Sequence, residues 1–408
     1  MVYHQGMTST AGIRTARPWL MLALGVTAQA SATVLISAPA FLIPLLHTGK
    51  GLSLAAAGSL AAAPNLGMVV TLIAWGALTD RIGERRVIAG GLFLAAVAAC
   101  AAAVSGGYLA LGICLFFAGM MAASPNAASG RIVVGWFPRE RRGLAMGIRQ
   151  MCQPLGVAVA AIAIPALGAA GGIAAALALP AILTLLSAIA CAIWIVDPAR
   201  TRPAADLSAD RAAVSANPYR SDATLWRIHL VSILLVVPQF TISTFALVWL
   251  VAQWHWPAAA AGVLVGSCQF IGAFGRIAVG ILSDRVGSRL RPLRWVAFSA
   301  VAVMAGLAAT GWLGGWSVAP LLIIASVVTV ADNGLAYTAV AEIAGSAWSG
   351  RALGAQNTGQ YLAASAVGPL VGGLIGLVGY PIGFALVALS PLAAIPIVPR
   401  DGRPSEAP

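Results

Sequence analysis

Charge is what this chain has least of. Only 9% of its 408 residues are Asp, Glu, Lys or Arg, against about 25% in soluble domains. So few cannot form a polar shell around a water-soluble core, and the solvent for most of the surface must be lipid. Lysine is almost missing: Lys50 stands alone among the 24 basic residues, the rest being arginine. The five cysteines, Cys100, Cys114, Cys152, Cys191 and Cys268, all lie in apolar runs without a C-x-x-C pair. That excludes a disulfide framework and a zinc site, and they read as small packing residues. There is no Walker loop, so ATP is not the driving force. There are no paired catalytic carboxylates, no His/Asp/Ser set and no metal constellation. An enzyme, a cofactor and a metal are therefore not expected. Nor does the net charge of +12 point to nucleic acid, because the arginines sit in short loops between apolar runs.

What the chain does have is hydrophobic residue, 60% of the total. A membrane helix takes about 20 apolar residues. Residues 18–49 and 52–79 are free of charge and predict one helix each. Residues 87–130 break at Ser105-Gly106-Gly107, and 150–196 break between Gly168 and Gly172, so each predicts two. The second half repeats the pattern. Residues 228–275 break at Trp254-His255-Trp256-Pro257, 295–331 at Gly314-Gly315, and 352–399 near Gly379-Tyr380-Pro381. With helices running past the interrupting charges, these runs predict six more.

The expectation is an all-α integral membrane protein of twelve transmembrane helices, in two six-helix halves related by a pseudo-two-fold axis. The apolar run after Arg14 and Arg17 reads as a retained first helix, not a cleaved leader. Alternate loops are basic (81–86, 139–142, 200–227, 285–294, Arg351), while the opposite loops hold only Lys50. The positive-inside rule then puts both termini in the cytoplasm. Residues 1–17 and 400–408 read as cytoplasmic tails, 18–196 and 228–399 as the halves, and 197–227 as a cytoplasmic linker. The Arg- and Ala-rich composition suggests a GC-rich bacterial genome, hence a bacterial inner membrane. The chain is expected to act as a monomer in the bilayer.

The halves are copies. Gly76 to Arg86 reads G-A-L-T-D-R-I-G-E-R-R, and Gly280 to Arg289 reads G-I-L-S-D-R-V-G-S-R, 204 residues later. Ala55-Ala56-Ala57-Gly58 recurs as Ala259-Ala260-Ala261-Gly262 at the same offset, and Asn65 falls on Gln269. Gln29 falls on Gln239 at offset 210, and Arg142 on Arg351 at 209. A duplicated apolar chain with a basic loop at the same point of each half is the pattern of a transporter built from repeats.

On these residues the chain resembles the major facilitator superfamily, whose motif G-x-L-x-D-R-x-G-R-[KR] follows the second helix. Gly76, Leu78, Asp80, Arg81, Gly83, Arg85 and Arg86 match it, with Glu84 departing from the usual basic residue. Gly280, Leu282, Asp284, Arg285, Gly287 and Arg289 form the weaker copy. The resemblance implies that Asp80, and less strongly Asp284, latches the outward-facing state by accepting hydrogen bonds at a neighbouring helix terminus. It also implies that a G-P-x-x-G-G run in the fifth helix marks drug–proton antiporters. Here the fifth helix keeps only Pro154 and Gly156, while the fuller run, Gly368 to Gly373, lies in the eleventh.

Charges within spans are costly and are functional candidates. Arg149, Arg276 and Asp332, with Asn333 beside it, qualify. One reading makes Arg149 and Arg276 ligands of an anion, which a guanidinium holds in two parallel hydrogen bonds, and makes Asp332 the proton carrier. The other makes Arg276 and Asp332 a structural ion pair. Arg131 and Glu342 lie near helix ends and read as partners of the motif loops, Glu342 with Arg285 for example. Uncharged polar residues in spans also avoid lipid: Gln29, Thr33, Asn65, Asn126, Gln153, Gln239, Gln269, Gln356, Asn357 and Gln360. The duplicate pairs Gln29/Gln239 and Asn65/Gln269 are the first candidates for a central cavity. His229 and His255 read as interfacial. Together these readings favour proton-coupled uptake of a small organic anion. The alternative is a drug or metabolite efflux antiporter, with Trp249 and Phe245 lining its cavity beside Asp332.

Overall fold

The computed structural model describes residues 8–137, 145, 148–197 and 217–400, and structural statements concern those residues. A helix that is apolar on every side has no water to satisfy its backbone, so it must satisfy its own hydrogen bonds. Accordingly the described elements are helices throughout. Ten segments are long and apolar enough to span a bilayer. Two of them, Ile148–Trp194 and Ala352–Ile397, hold 47 and 46 residues, about twice what a bilayer takes. Each reverses at a glycine in the left-handed region, Gly172 at φ 69° and Gly379 at φ 78°, where a side chain would be strained. Each therefore makes two spans, and twelve result, as the sequence predicts.

In the first half these are α1 (Thr8–Phe41), α2 (Leu54–Ile82), α3 (Glu84–Ala103) and α4 (Tyr108–Gly130), with α5 and α6 the two arms of Cys152–Trp194. In the second half they are α7 (Thr224–Trp254), α8 (Ala258–Val286), α9 (Leu290–Ala308) and α10 (Gly315–Ala344), with α11 and α12 the arms of Ala352–Ile397. Two boundaries differ from the sequence reading. Helix α1 starts within the segment read as a tail, and α7 starts at Thr224, inside the segment read as a linker. A four-residue helix, Pro218–Ser221, precedes α7, its start capped by Asn217 accepting the Tyr219 N–H at 3.0 Å. A scan for uncharged runs misses such polar turns of helix.

The halves meet along two seams, α2 on α11 and α5 on α8. A Cβ on Gly58 would lie 2.2 Å from the Gly368 carbonyl oxygen, and one on Gly262 2.2 Å from the Ala161 oxygen. Gly58 and Gly262 correspond under the repeat, and Ala161 and Gly368 come within one position of doing so, so the seams are closely similar backbone contacts made twice. Both lie toward the arginine-poor end. Toward the arginine-rich end Gly76, Gly280 and Gly354 would meet nothing within 4 Å if given a Cβ, and Gln150 and Gly354 are exposed. Among the described residues the close glycine contacts between the halves thus gather at one face, the closed face. The apolar core at the closed end holds Phe245, Trp249 and Phe384, each at most 2% exposed.

Candidate functional site

Between the halves lies a cavity of about 140 Å³, walled by α1, α2, α5, α7, α8, α10 and α11. Its polar lining comes from Gln29, Thr33 and Ser37 of α1, Asn65 of α2, Gln153 of α5, Gln239, Ser243 and Thr244 of α7, Gln269 and Arg276 of α8, and Tyr361 of α11. Phe41, Met68 and Phe240 add apolar surface. Seven of the residues singled out in the sequence are thus brought together, including both duplicate pairs. Among the lining residues Arg276 is the one that carries a charge. Its Nε makes no hydrogen bond, and neither does the buried Gln29 Oε1. Buried polar atoms without partners are rare in proteins, so two of them on one cavity wall mark the groups available to a solute.

Asp332 lies behind this wall. It is fully buried, and neither carboxylate oxygen is hydrogen-bonded. Arg276 interacts with Asp332 through charge, but the two do not close to an ion pair, although Arg289 forms two within 4.0 Å. Asp332 opens the second piece of α10, which is interrupted over residues 329–331. The equivalent helix α4 is interrupted at Ala123, and Ser124 there is also fully buried with an unbonded Oγ. Discontinuous helices near the membrane midplane are where transporters place polar backbone and ion-binding groups.

Arg149 does not line the cavity. Its Nε donates to Ser129 Oγ at 2.9 Å and its Nη2 to the Asn126 carbonyl at 3.2 Å, tying α5 to α4. One turn on, Gln153 Nε2 donates to the Tyr361 hydroxyl at 3.5 Å, linking the two halves. Asn333, Asn357 and Gln360 also stand off the wall, in a network. Asn333 Nδ2 donates to Gln239 Oε1 at 3.0 Å, and Gln360 Nε2 donates to Asn333 Oδ1 at 3.0 Å and Ser232 Oγ at 2.6 Å. The Tyr337 hydroxyl contacts Asn357 Oδ1 and lies 2.9 Å from Gln360 Oε1. The repeat maps Ser129–Arg149 onto Tyr337–Asn357 at an offset of 208, and it maps Gln153 onto Tyr361, its own contact. Gln356 belongs elsewhere, bonded to His229 Nδ1, while His229 Nε2 and the Tyr219 hydroxyl are 2.9 Å apart.

Three sequence readings need correction. His229 is not interfacial: it is 7% exposed and joins α7 to the helix Pro218–Ser221 through Tyr219. Phe245 and Trp249 do not line the cavity. They pack in the closed end, Trp249 edge-on to Phe384 at 5.2 Å. Glu342 pairs with Arg289 at 3.3 Å, not with the exposed Arg285. Periodicity gives no rotational phase in helices apolar all round, which is why these faces were misread. Tyr361, Tyr337 and Ser129 were not singled out, although their shared offset from Gln153, Asn357 and Arg149 is readable in the sequence.

The motif loops are built differently in the two halves. Asp80, Arg131 and Arg351 have side chains outside the described residues, and Arg142 lies outside them altogether. Gly83 has φ 93°, and a Cβ there would sit 2.3 Å from Asp197 Oδ2. That close approach lets Asp197 Oδ1 accept the Arg85 N–H at 2.7 Å and cap α3, while Arg85 Nε donates to the Ala192 carbonyl. Arg81 and Arg86 are exposed. In the second half Arg289 bridges Asp284 at 2.5 Å and Glu342. The guanidinium is held above its ordinary range chiefly by the bond to Asp284, with Glu342 adding to it. Gly287 turns the loop at φ 64°.

Comparison with known proteins places these features. The family model described as Major Facilitator Superfamily matches residues 23–369. An uncharacterized MFS-type transporter of Mycobacterium tuberculosis (strain ATCC 25618 / H37Rv) is 49% identical over 382 residues, covering 93% of this chain and 84% of the relative. Among solved structures, a bacterial homolog of the human lysosomal transporter Spinster, inward-facing and occupied, superposes with a TM-score of 0.72 at 16% identity, with 94% of each chain covered. A peptide transporter of the POT family in complex with sulfate gives 0.74 at 15% identity, with 93% of each chain covered. At such identity these two share the fold.

Proposed function

This chain belongs to the major facilitator superfamily and is a multi-pass membrane transporter, not an enzyme; from that premise we propose that it carries a small organic anion, coupled to protons, across the bacterial inner membrane by alternating access. The observation that carries the anion reading is Arg276, the charged group on the cavity wall, with an Nε bonded to nothing in the protein. A carboxylate or phosphate would take the fork of that guanidinium. Gln29, Asn65, Gln239 and Gln269 supply uncharged donors and acceptors around it, and Arg149 stands one shell back beside Gln153 and Tyr361. The cavity of about 140 Å³ suits a small solute.

Asp332 is the proposed proton carrier. It is buried within charge reach of Arg276 without being paired to it, so an anion on Arg276 and a charge on Asp332 compete for the same cation. With the arginine-rich face and both termini in the cytoplasm, the described conformation is open inward. The domain division is that of two bundles, 18–196 and 228–399, joined by a cytoplasmic linker at 197–227. Asp80 and Asp284 act as latches of the opposite state, and here Asp284 is held by Arg289 of its own half. A monomer accounts for the site, because both halves of one chain wall the cavity.

The test is a thermal-shift screen of the purified protein against small carboxylates, phosphates, sugars and organic cations. Uptake into vesicles with and without a pH gradient follows. Stabilisation by an anion, lost in Arg276→Gln, is the expected result. Stabilisation by cations or neutral solutes alone would overturn the anion reading.

A further inference from the structure

A second concave site lies at the arginine-rich face, away from the central cavity. It encloses about 210 Å³ and is lined by Leu290, Arg291, Arg294, Pro399 and Arg400, where the start of α9 meets the end of α12. Among the described residues five line it, three of them arginines and none a carboxylate. Arg294 is fixed in place: its Nη2 donates to the Val398 carbonyl at 3.0 Å and more weakly to that of Pro399 at 3.4 Å. These carbonyls belong to the two residues that follow α12, which ends at Ile397. Arg227 of α7 grips the same helix end through the Ile397 carbonyl at 2.9 Å. Carbonyls are neutral, so the guanidinium keeps its full charge, and its buried Nε makes no hydrogen bond. Arg291 lies one turn before Arg294 on the same helix face.

The surroundings fix the depth of this site. Trp295 and Phe298, next along α9, are 48% and 54% exposed on the outer surface. Tryptophan collects where hydrocarbon meets headgroups, so the arginines beside Trp295 stand at headgroup level. A solvated positive-inside anchor needs neither a concave pocket nor a guanidinium locked by a helix end.

We propose that this pocket binds a phosphate-bearing group, at the level where the headgroups of anionic lipids lie. Guanidiniums suit phosphate because their fork matches its oxygens in parallel hydrogen bonds, and basic pockets between helices on the cytoplasmic side hold anionic headgroups. The site rests on membrane placement and not on the identity of the transported solute.

The probes are short-chain phosphatidylglycerol, phosphatidylcholine and inorganic phosphate, titrated against the full-length protein in detergent and read by native mass spectrometry. Wild type should retain phosphatidylglycerol over phosphatidylcholine. The double variant Arg291→Gln/Arg400→Gln, which leaves Arg294 and its helix-end contacts in place, should weaken retention at least tenfold at unchanged circular dichroism. Displacement of the lipid by millimolar phosphate would assign the site to a free anion, and its failure would assign it to lipid; both support the phosphate chemistry. The control Arg17→Gln/Arg220→Gln removes two exposed arginines elsewhere. Equal loss in that control, or undiminished retention in the first double variant, would overturn the proposal.

Discussion

Arg276→Gln keeps a polar group, on a shorter side chain, but removes the cavity's charge. A hydrogen bond to a charged group contributes about 1.5–3 kcal/mol, so affinity for an anion should fall roughly ten- to hundredfold, measurable by thermal shift. Asp332→Asn should abolish accumulation driven by a pH gradient while leaving exchange of solute across the vesicle membrane. If Asp332 only neutralises Arg276, the single variant should lose stability by stranding a buried charge. Asp332→Asn with Arg276→Gln should then restore the melting temperature, and normal accumulation by that double variant would remove Asp332 as an essential carrier. Gly83→Ala meets two obstacles, a φ of 93° and a carboxylate oxygen 2.3 Å from the new Cβ. A loss of about 1–3 kcal/mol is expected, visible as a lower melting temperature, with Asp197→Ala relieving the steric part.

At the scale of the helix, the glycine seams lend themselves to a sharper test. Leucine at Gly58 cannot fit against the Gly368 carbonyl, so Gly58→Leu should wedge α2 from α11 at the closed face. A reporter cysteine at Ser243, on the cavity wall, should then be labelled from that side faster than in wild type. Gly262→Leu should act alike through α5 and α8, and unchanged labelling in both would count against the seams as the closing contact. Helix number, reversal points and duplication were legible because charge-free runs and glycine breaks are one-dimensional signals. Which way each polar side chain faces was not. Gln239 and Gln269 reach the cavity, whereas Gln356 turns to His229 and Asn357 to Tyr337. An amphipathic stripe would give that phase in a soluble helix, and lipid solvent removes the stripe. Arg149 was legible as an intramembrane charge, but its partner Ser129 lies 20 residues away on another helix, and only a fold brings them together.

For the molecule as a whole, sidedness is the first thing to measure. Cysteines placed at Ser208, in the linker, and at Gly106, in the exposed turn between α3 and α4, should label from opposite sides of the membrane. Labelling of both from one side would break the twelve-span topology. Asp80→Asn should slow transport with folding and insertion largely intact, since a latch contributes in one access state and not the other.

The two faces of the protein also differ in how they answer to the medium. The closed face is held where main chain rests on main chain, glycine on glycine and glycine on alanine, with dispersion as its adhesive. Dissolved ions do not screen dispersion. The arginine-rich face carries the guanidinium and carboxylate loops, whose attractions fade within about 10 Å at 0.1 M salt. Brine applied from the closed side should therefore leave the balance between the two access states where it was. The same brine on the arginine side should tilt it, making the transporter a rectifying sensor of ionic strength, deaf on one side of its membrane and attentive on the other.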